Sequence, residues 1–456
     1  MTISSQSPES NMSTASTSEL KGGATLILAN KELGIGRSES EPVIASSRVS
    51  ESAPPAFSLE QISSMHPKVG ISDFQILNVL GKGAYGKVYQ VRKLVGQHAK
   101  ETFAMKSVNK TRIVDSNTDL RHTRTERDVL ALVDHPFLVK MYYAFETSRR
   151  LYFVQEFCRG GELFRLMETE RMLMEDPAKF YICEIVCALE YLHSLNIVYR
   201  DLKTENIMLD EEGHIKLIDF GLSKIFDHEE EQLTTTFCGT VEYMAPEVVI
   251  KNPGHGKPAD WWSLGIFTFD LLTGRSPFHS NRGKKETKER IIKAKFTIPA
   301  FITPNAQDLI RAFLRKMVTR RLGSNRGAVE VNEHCFFDGI NWEKVVKRGY
   351  KPPFLPPRLS DTDVSQFDPR FTSRTPKESE CNPHPMDATF ANLFPDFDFV
   401  AVDFDEDDSS AFSLSPPDSP IQMKSNASDL DLSDKGIPSI LHLGNLQLNA
   451  SRHHGD

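Results

Sequence analysis

From Phe74 onward, apolar and polar residues alternate in short runs: Phe74-Gln75-Ile76-Leu77-Asn78-Val79-Leu80, then Val88-Tyr89-Gln90-Val91, then Phe103-Ala104-Met105-Lys106-Ser107-Val108. Runs of this length and period read as strands of an antiparallel sheet. The period then lengthens. Glu126, Leu130 and Val133 recur at i, i+4 and i+7, which predicts a helix over about 119–133, and one more strand fits 151–157. Past Gly160-Gly161 the chain turns mainly helical, its longest apolar-periodic segment running from Lys179 to Leu192. A sheet-rich part ahead of a helix-rich part predicts an α+β molecule of two lobes with a cleft between them.

The same pattern marks the ends. Residues 1–73 are rich in Ser, Thr and Glu and poor in aromatics, too little apolar surface to offset the entropy of ordering, so a disordered tail is expected before a domain at 74–337. After Phe337, Pro352-Pro353 and Pro356-Pro357 forbid helix and predict an extended segment, within 338–405, that wraps a surface. Residues 406–456 are acidic and Ser-rich, following on from the block Asp405-Glu406-Asp407-Asp408, and read as a second disordered tail. No internal repeat is visible.

Composition narrows the classes. The chain has 456 residues, 39% hydrophobic and 25% charged, which suits a globular protein with one large or two medium cores. Its net charge is −8 and its basic residues are dispersed, so nucleic acid is not an expected partner. None of the six cysteines forms a CxxC pair, and Cys183 and Cys187, one helical turn apart in an apolar segment, read as core packing in a reducing compartment. No leader-like start and no apolar run near the ~20 residues of a membrane span are present, so membrane insertion and secretion are not expected. Thr2 and the ending His453-His454-Gly455-Asp456 give no lipidation signal.

Candidate chemistry begins at Gly81-Lys82-Gly83-Ala84-Tyr85-Gly86-Lys87-Val88, where absent side chains would let backbone N–H groups approach phosphate oxygens. A dinucleotide fold would require a helix next, yet a strand pattern follows; a Walker-type loop would require a Ser or Thr hydroxyl where Val88 stands. An ordinary glycine hairpin remains open on this stretch alone. Downstream residues decide the matter. Lys106, in a strand, can grip α and β phosphates if Glu126 on the following helix holds it, although a lone Lys–Glu pair is more often a surface ion pair. In Tyr199-Arg200-Asp201-Leu202-Lys203-Thr204-Glu205-Asn206, Asp201 can accept a proton from an attacking hydroxyl, Lys203 can neutralise charge on a moving phosphoryl group, and Asn206 can offer an oxygen to Mg²⁺. Asp219, after the strand Ile215-Lys216-Leu217-Ile218, supplies a second metal oxygen. Glu247 with Arg321 reads as a structural ion pair, and Asp260 as an anchor for the Asp201 loop.

This ordered set resembles the eukaryotic protein kinases, and Thr236-Phe237-Cys238-Gly239-Thr240-Val241-Glu242-Tyr243 resembles their AGC group. The match covers about Phe74 to Phe404. It is most similar to the N-terminal kinase domain of the RSK and MSK enzymes through His122-Thr123-Arg124-Thr125-Glu126-Arg127 and Phe371-Thr372-Ser373-Arg374-Thr375-Pro376-Lys377-Glu378-Ser379. No second glycine loop follows Cys381, which fits single-domain ribosomal S-six-type kinases.

The resemblance implies a bilobal kinase fold at 74–337 with an AGC C-terminal extension, transferring the γ-phosphoryl group of ATP with Mg²⁺ to serine or threonine of protein substrates. It implies catalytic roles for Asp201, Lys203 and Lys106, and metal binding by Asn206 and Asp219. Nucleotide contacts fall on Gly81, Lys82, Gly83, Ala84, Tyr85, Gly86, Val88, Ala104, Lys106, Glu126, Glu156, Cys158, Glu162, Met208 and Phe367. Thr236 is the implied activation-loop phosphosite, clasped by His122, Arg200 and Lys224 and filled by an upstream activating kinase; Thr375 or Ser379 would be a further phosphosite. Glu162, Glu205 and Asp270 would read arginines upstream of the acceptor. Phe394-Pro395-Asp396-Phe397-Asp398-Phe399 would dock on the small lobe.

Departures from the family pattern are Thr204 for proline, Tyr85 at the loop tip, Gln155 at the gatekeeper position, and Asp398 where a phosphorylatable residue is usual. A carboxylate there carries less charge than a phosphate and implies permanent but weaker docking. A monomer in the cytoplasm, the nucleus or both is expected. The rivals are a pseudokinase scaffold, which would normally lack Lys106, Asp201 or Asp219, and a metabolic ATPase, which would release phosphate without a peptide acceptor.

Overall fold

A computed structural model describes residues 68–83, 85–114, 116–226, 233–251, 253–357, 360–378 and 393–401. The expected disordered tails, Ala84 and Ser379 lie outside the described residues, apart from residues 68–73 of the first tail.

The alternating runs become strands β1 (Phe74–Lys82), β2 (Gly86–Lys93) and β3 (Thr102–Asn109), followed by helix α1 (Asn117–Leu132), β4 (Met141–Glu146) and β5 (Arg150–Glu156). The α1 start is fixed locally by the Ser116 hydroxyl, which accepts from Asp119 N at 3.2 Å. Strand β4 was not anticipated: Met141-Tyr142-Tyr143-Ala144-Phe145 is nearly all apolar, and without alternation a short run carries no strand period. The register sets Lys106 between Val88 and Phe153, on one face of the sheet. A final strand from the C-terminal segment, β11 (Phe399–Val400), pairs antiparallel with β4 and gives the order β1-β2-β3-β5-β4-β11. It covers what would otherwise be an open edge.

The helical lobe follows, with β6 (Gly161–Glu162), α2 (Leu163–Glu170), α3 (Glu175–Ser194) and β7 (Ile197–Val198). After these come β8 (Ile207–Leu209), β9 (Ile215–Leu217), β10 (Lys224–Ile225), α4 (Pro246–Ile250), α5 (Pro258–Thr273), α6 (Lys284–Lys293) and α7 (Pro304–Phe313). Helices α3 and α5 are buried on nearly every side, as helices apolar all round must be. Cys183 and Cys187 lie in that core. Arg321 forks onto Glu247 with Nη1 at 2.5 Å and Nη2 at 2.9 Å, a buried pair that ties the segment after α7 to α4.

Beyond α8 (Ala328–Asn332) and α9 (Trp342–Val346), the proline-rich segment runs extended over the lobe. It passes so close that a Cβ on Gly213 would lie 2.0 Å from Phe354 O. The short helix α10 (Pro369–Thr372) then packs on β1.

Candidate active site

Lys106 Nζ lies 2.6 Å from Glu126 Oε1 and 3.5 Å from Asp219 Oδ1, so strand, helix and loop meet at one ammonium. Burial opposes its charge, but Asp219 and Glu126 together outweigh that and raise the lysine pKa. Lys106 in turn, chiefly, holds the Asp219 carboxyl below its usual value.

Asp201 accepts four hydrogen bonds on its two carboxylate oxygens. Lys203 Nζ at 2.6 Å and Asn206 Nδ2 at 2.8 Å reach Oδ2, while Thr240 N and Oγ1, both at 3.1 Å, reach Oδ1. With its amide nitrogen committed to Asp201, Asn206 keeps its oxygen available. That oxygen and the Asp219 carboxylate make a hard-oxygen donor set of the kind Mg²⁺ prefers. Asp260 holds the loop from beneath, accepting from Tyr199 N at 2.9 Å and Arg200 N at 2.8 Å. Thr240 is the partner that sequence reasoning missed. Its motif was visible, but only the fold brings its hydroxyl to Asp201.

A cavity of about 540 Å³ opens between the lobes, lined by the glycine-rich loop, Lys106, Asp201 and Asp219. Its apolar end is a cluster of Leu80, Cys158, Met208 and Phe367, with Val88 and Ala104 against it. Phe367 reaches it from the C-terminal segment and stacks on Phe157 at 5.5 Å. Gly86 is forced by packing, since a Cβ there would fall 1.7 Å from Ser107 O; at Gly81 and Gly83 a Cβ would meet nothing. Those two glycines therefore leave open space over the cleft, as close approach of a phosphate chain demands.

Glu162 also lines the cavity. Lys82 is exposed and off the cavity wall, whereas Glu156 lines the cavity with its carboxylate taken by Lys216 Nζ at 2.9 Å and Lys140 N at 2.8 Å. Lys87 and Asp119 line the cavity instead, unanticipated. At the loop tip, Tyr85 Oη donates to Asp119 Oδ1 at 2.9 Å, tying the loop to the first turn of α1.

Glu162, Glu205 and Asp270 come together on the helical lobe. Burial first, then the Glu205 charge, raises the pKa of Glu162, and burial, partly relieved by the Tyr243 hydrogen bond, raises that of Asp270. Thr236, the expected phosphosite, is exposed. Arg200 donates Nε to Leu222 O at 2.6 Å and Nη2 to Ser223 O at 3.2 Å, while its Nη1 is buried without a partner. His122 lies close enough to Arg200 for that charge to add to burial in lowering its pKa, and Lys224 Nζ rests over the Phe226 ring.

The C-terminal aromatic segment docks on the small lobe. Phe394 and Phe397 are buried, and Phe397 meets Phe153 edge-on at 5.3 Å. Arg127 of α1 donates to the carbonyls of Asp396, Phe397 and Asp398, and Arg124 to Leu393 O. The Asp398 carboxylate itself faces solvent, 3.7 Å from exposed Lys68. Glu378, beside Ser379, accepts from Tyr152 Oη at 2.8 Å and Ser107 Oγ at 3.3 Å, with Arg150 at 3.5 Å.

Comparison with known families places this geometry. The protein kinase domain profile matches residues 74–337 and the protein kinase C-terminal domain profile residues 360–399. Ribosomal protein S6 kinase alpha-3 from Homo sapiens is 46% identical over 344 residues, covering 75% of this chain and 45% of that protein. Ribosomal protein S6 kinase beta from Caenorhabditis elegans is 48% identical over 335 residues, covering 73% and 60%. The chain thus spans about half the length of the curated relatives it matches. Among the described residues no helix is long and apolar enough to cross a membrane.

Proposed function

The chain belongs to the protein kinase family, among the serine/threonine kinases of the AGC group's ribosomal S6 kinase branch, and from that premise we propose that it transfers the γ-phosphoryl group of ATP to serine or threonine of basic proteins. The observation that carries the proposal is the convergence of Lys106, Glu126 and Asp219 on one wall of the cavity with Asp201, Lys203 and Asn206 beside them. Lys106, held at its height by Glu126, grips the α and β phosphates. Asp201, oriented by Asn206 and Thr240, accepts the acceptor hydroxyl's proton as the oxygen attacks, and Lys203 offsets charge on the departing phosphoryl group. Mg²⁺, held by Asn206 and Asp219, supplies electrostatic neutralisation of the triphosphate. Expected turnover of the active protein is ~1–100 per second.

Glu162, Glu205 and Asp270 select arginine upstream of the acceptor, because three crowded carboxylates are relieved by a guanidinium. Phosphorylation of Thr236 orders the activation segment by supplying an anion to Arg200, whose buried Nη1 has no other partner, together with His122 and Lys224. Phosphate transfer to an Arg-x-x-Ser peptide, measured beside phosphate release to water, tests the reading. Transfer that vanishes in Asp219→Ala and nearly vanishes in Thr236→Ala is expected. Phosphate release with no peptide labelling would instead point to an ATPase, and no nucleotide turnover at all to a scaffold.

A further inference from the structure

Besides the acidic set, the helical lobe carries a basic one around Phe237. Thr240 hydrogen-bonds Asp201 twice, so the stretch Phe237–Thr240 runs beside the proposed base. The Phe237 ring is flanked by two ammonium groups, Lys288 Nζ at 4.4 Å and Lys251 Nζ at 5.2 Å from its centroid. Lys251 is the left-handed residue that ends α4, and Lys288 lies on α6. Neither makes an ion pair with a carboxylate among the described residues. Lys284 and Lys285, on the same helix, are exposed, while its Glu286 is taken by Ser280 Oγ at 2.7 Å and Arg290 Nη2 at 2.9 Å.

The two ammoniums sit over one ring and lie within about 10 Å of each other, near the screening length of physiological salt. They repel, and an anion between them removes the repulsion. The turn Val241–Tyr243 links this basic set to the acidic one: it packs on α6, and Tyr243 Oη donates to Asp270 Oδ2 at 2.7 Å.

We propose that Lys251 and Lys288, framing Phe237, form a subsite for an acidic residue just downstream of the acceptor, so that the preferred substrate is a peptide basic before its Ser or Thr and acidic after it. The inference rests on the kinase reading above and deepens its substrate class. The aromatic ring takes the side-chain methylenes of the acidic residue and the two ammoniums take its carboxylate.

The test uses the full chain phosphorylated at Thr236 and peptides that share an arginine three residues before the serine. They differ in carrying Glu, Ala or Lys at each of the first three positions after it. For the wild type, kcat/KM for the best Glu peptide is expected to exceed that of its Ala counterpart about threefold to tenfold, with the Lys peptide below both. In Lys288→Glu, and more so in Lys251→Glu/Lys288→Glu, the order inverts. Wild-type turnover indifferent to downstream charge overturns the subsite alone. So do variants that slow every peptide by one factor, which would assign the lysines to the Thr236 phosphate. Absence of transfer to every peptide overturns the kinase reading and this one with it.

Discussion

Arg200 and Asp219 both adopt positive φ, 69° and 58°, in residues that carry side chains. Such angles cost roughly 1–3 kcal/mol and persist where surroundings over-determine them. At Arg200 the determinants are on view, with Asp260 fixing its N–H and two carbonyls fixing its guanidinium. Tyr85 is a gentler case. Its hydroxyl bridges the loop tip and α1, the helix that carries Glu126, and an exposed hydrogen bond of this kind contributes about 1 kcal/mol. Tyr85→Phe should therefore raise KM for ATP up to about fivefold while leaving the fold intact. Asp119→Ala should do the same, and the double variant no more than either, because one bond is lost in all three. Additive effects in steady-state kinetics would show that the two side chains act separately.

At the scale of elements, the C-terminal segment holds α1 from outside. The aromatic motif was legible as a docking segment through its resemblance to the hydrophobic motif of the AGC group. Its manner of docking was not legible. Pairing of β11 with β4 needs β4, whose unbroken apolar run hid its period, and the carbonyls that Arg124 and Arg127 grip are invisible to any side-chain pattern. Weaker docking through a reduced charge at Asp398 was expected, but in the structure that carboxylate has one solvent-facing pair, a contact worth ~0–1 kcal/mol. Buried phenyl groups count for more: Phe→Ala in a core costs about 3–5 kcal/mol. Phe397→Ala should accordingly release the segment, raise deuterium uptake across α1 and cut kcat at least tenfold, whereas Asp398→Ala should change kcat less than twofold. A large effect of Asp398→Ala with an intact Phe397 would reverse the assignment of the docking energy.

For the molecule as a whole, the two-lobe order and the residues that meet in the cleft were legible because each lies in a local motif, Lys106 in an alternating strand and Asp201 and Asp219 in loops of fixed spacing. Packing of neutral histidines against the helical lobe, His135 on Tyr191 among them, had no such signal, yet it makes stability depend on pH. Burial, reinforced by Lys216 and by Arg200, lowers the pKa of His135 and of His255 from 6.5 to about 4. His135 Nδ1 accepts from Phe137 N at 3.3 Å, which requires the neutral ring, and both ring nitrogens of His255 are buried without a hydrogen-bond partner. With the folded pKa below the unfolded one, the unfolded chain binds the proton first. Stability is then full above pH 6.5 and falls as pH drops toward 4, with no further loss from these groups below that. Buried carboxyls with raised pKa, such as Glu162 and Asp270, act in the opposite sense, so the difference between wild type and a His255 variant isolates that histidine. The melting temperature of His255→Gln should decline less steeply than that of the wild type between pH 6.5 and 4, and the two curves should run parallel above pH 7; parallel curves throughout would place the acid sensitivity elsewhere.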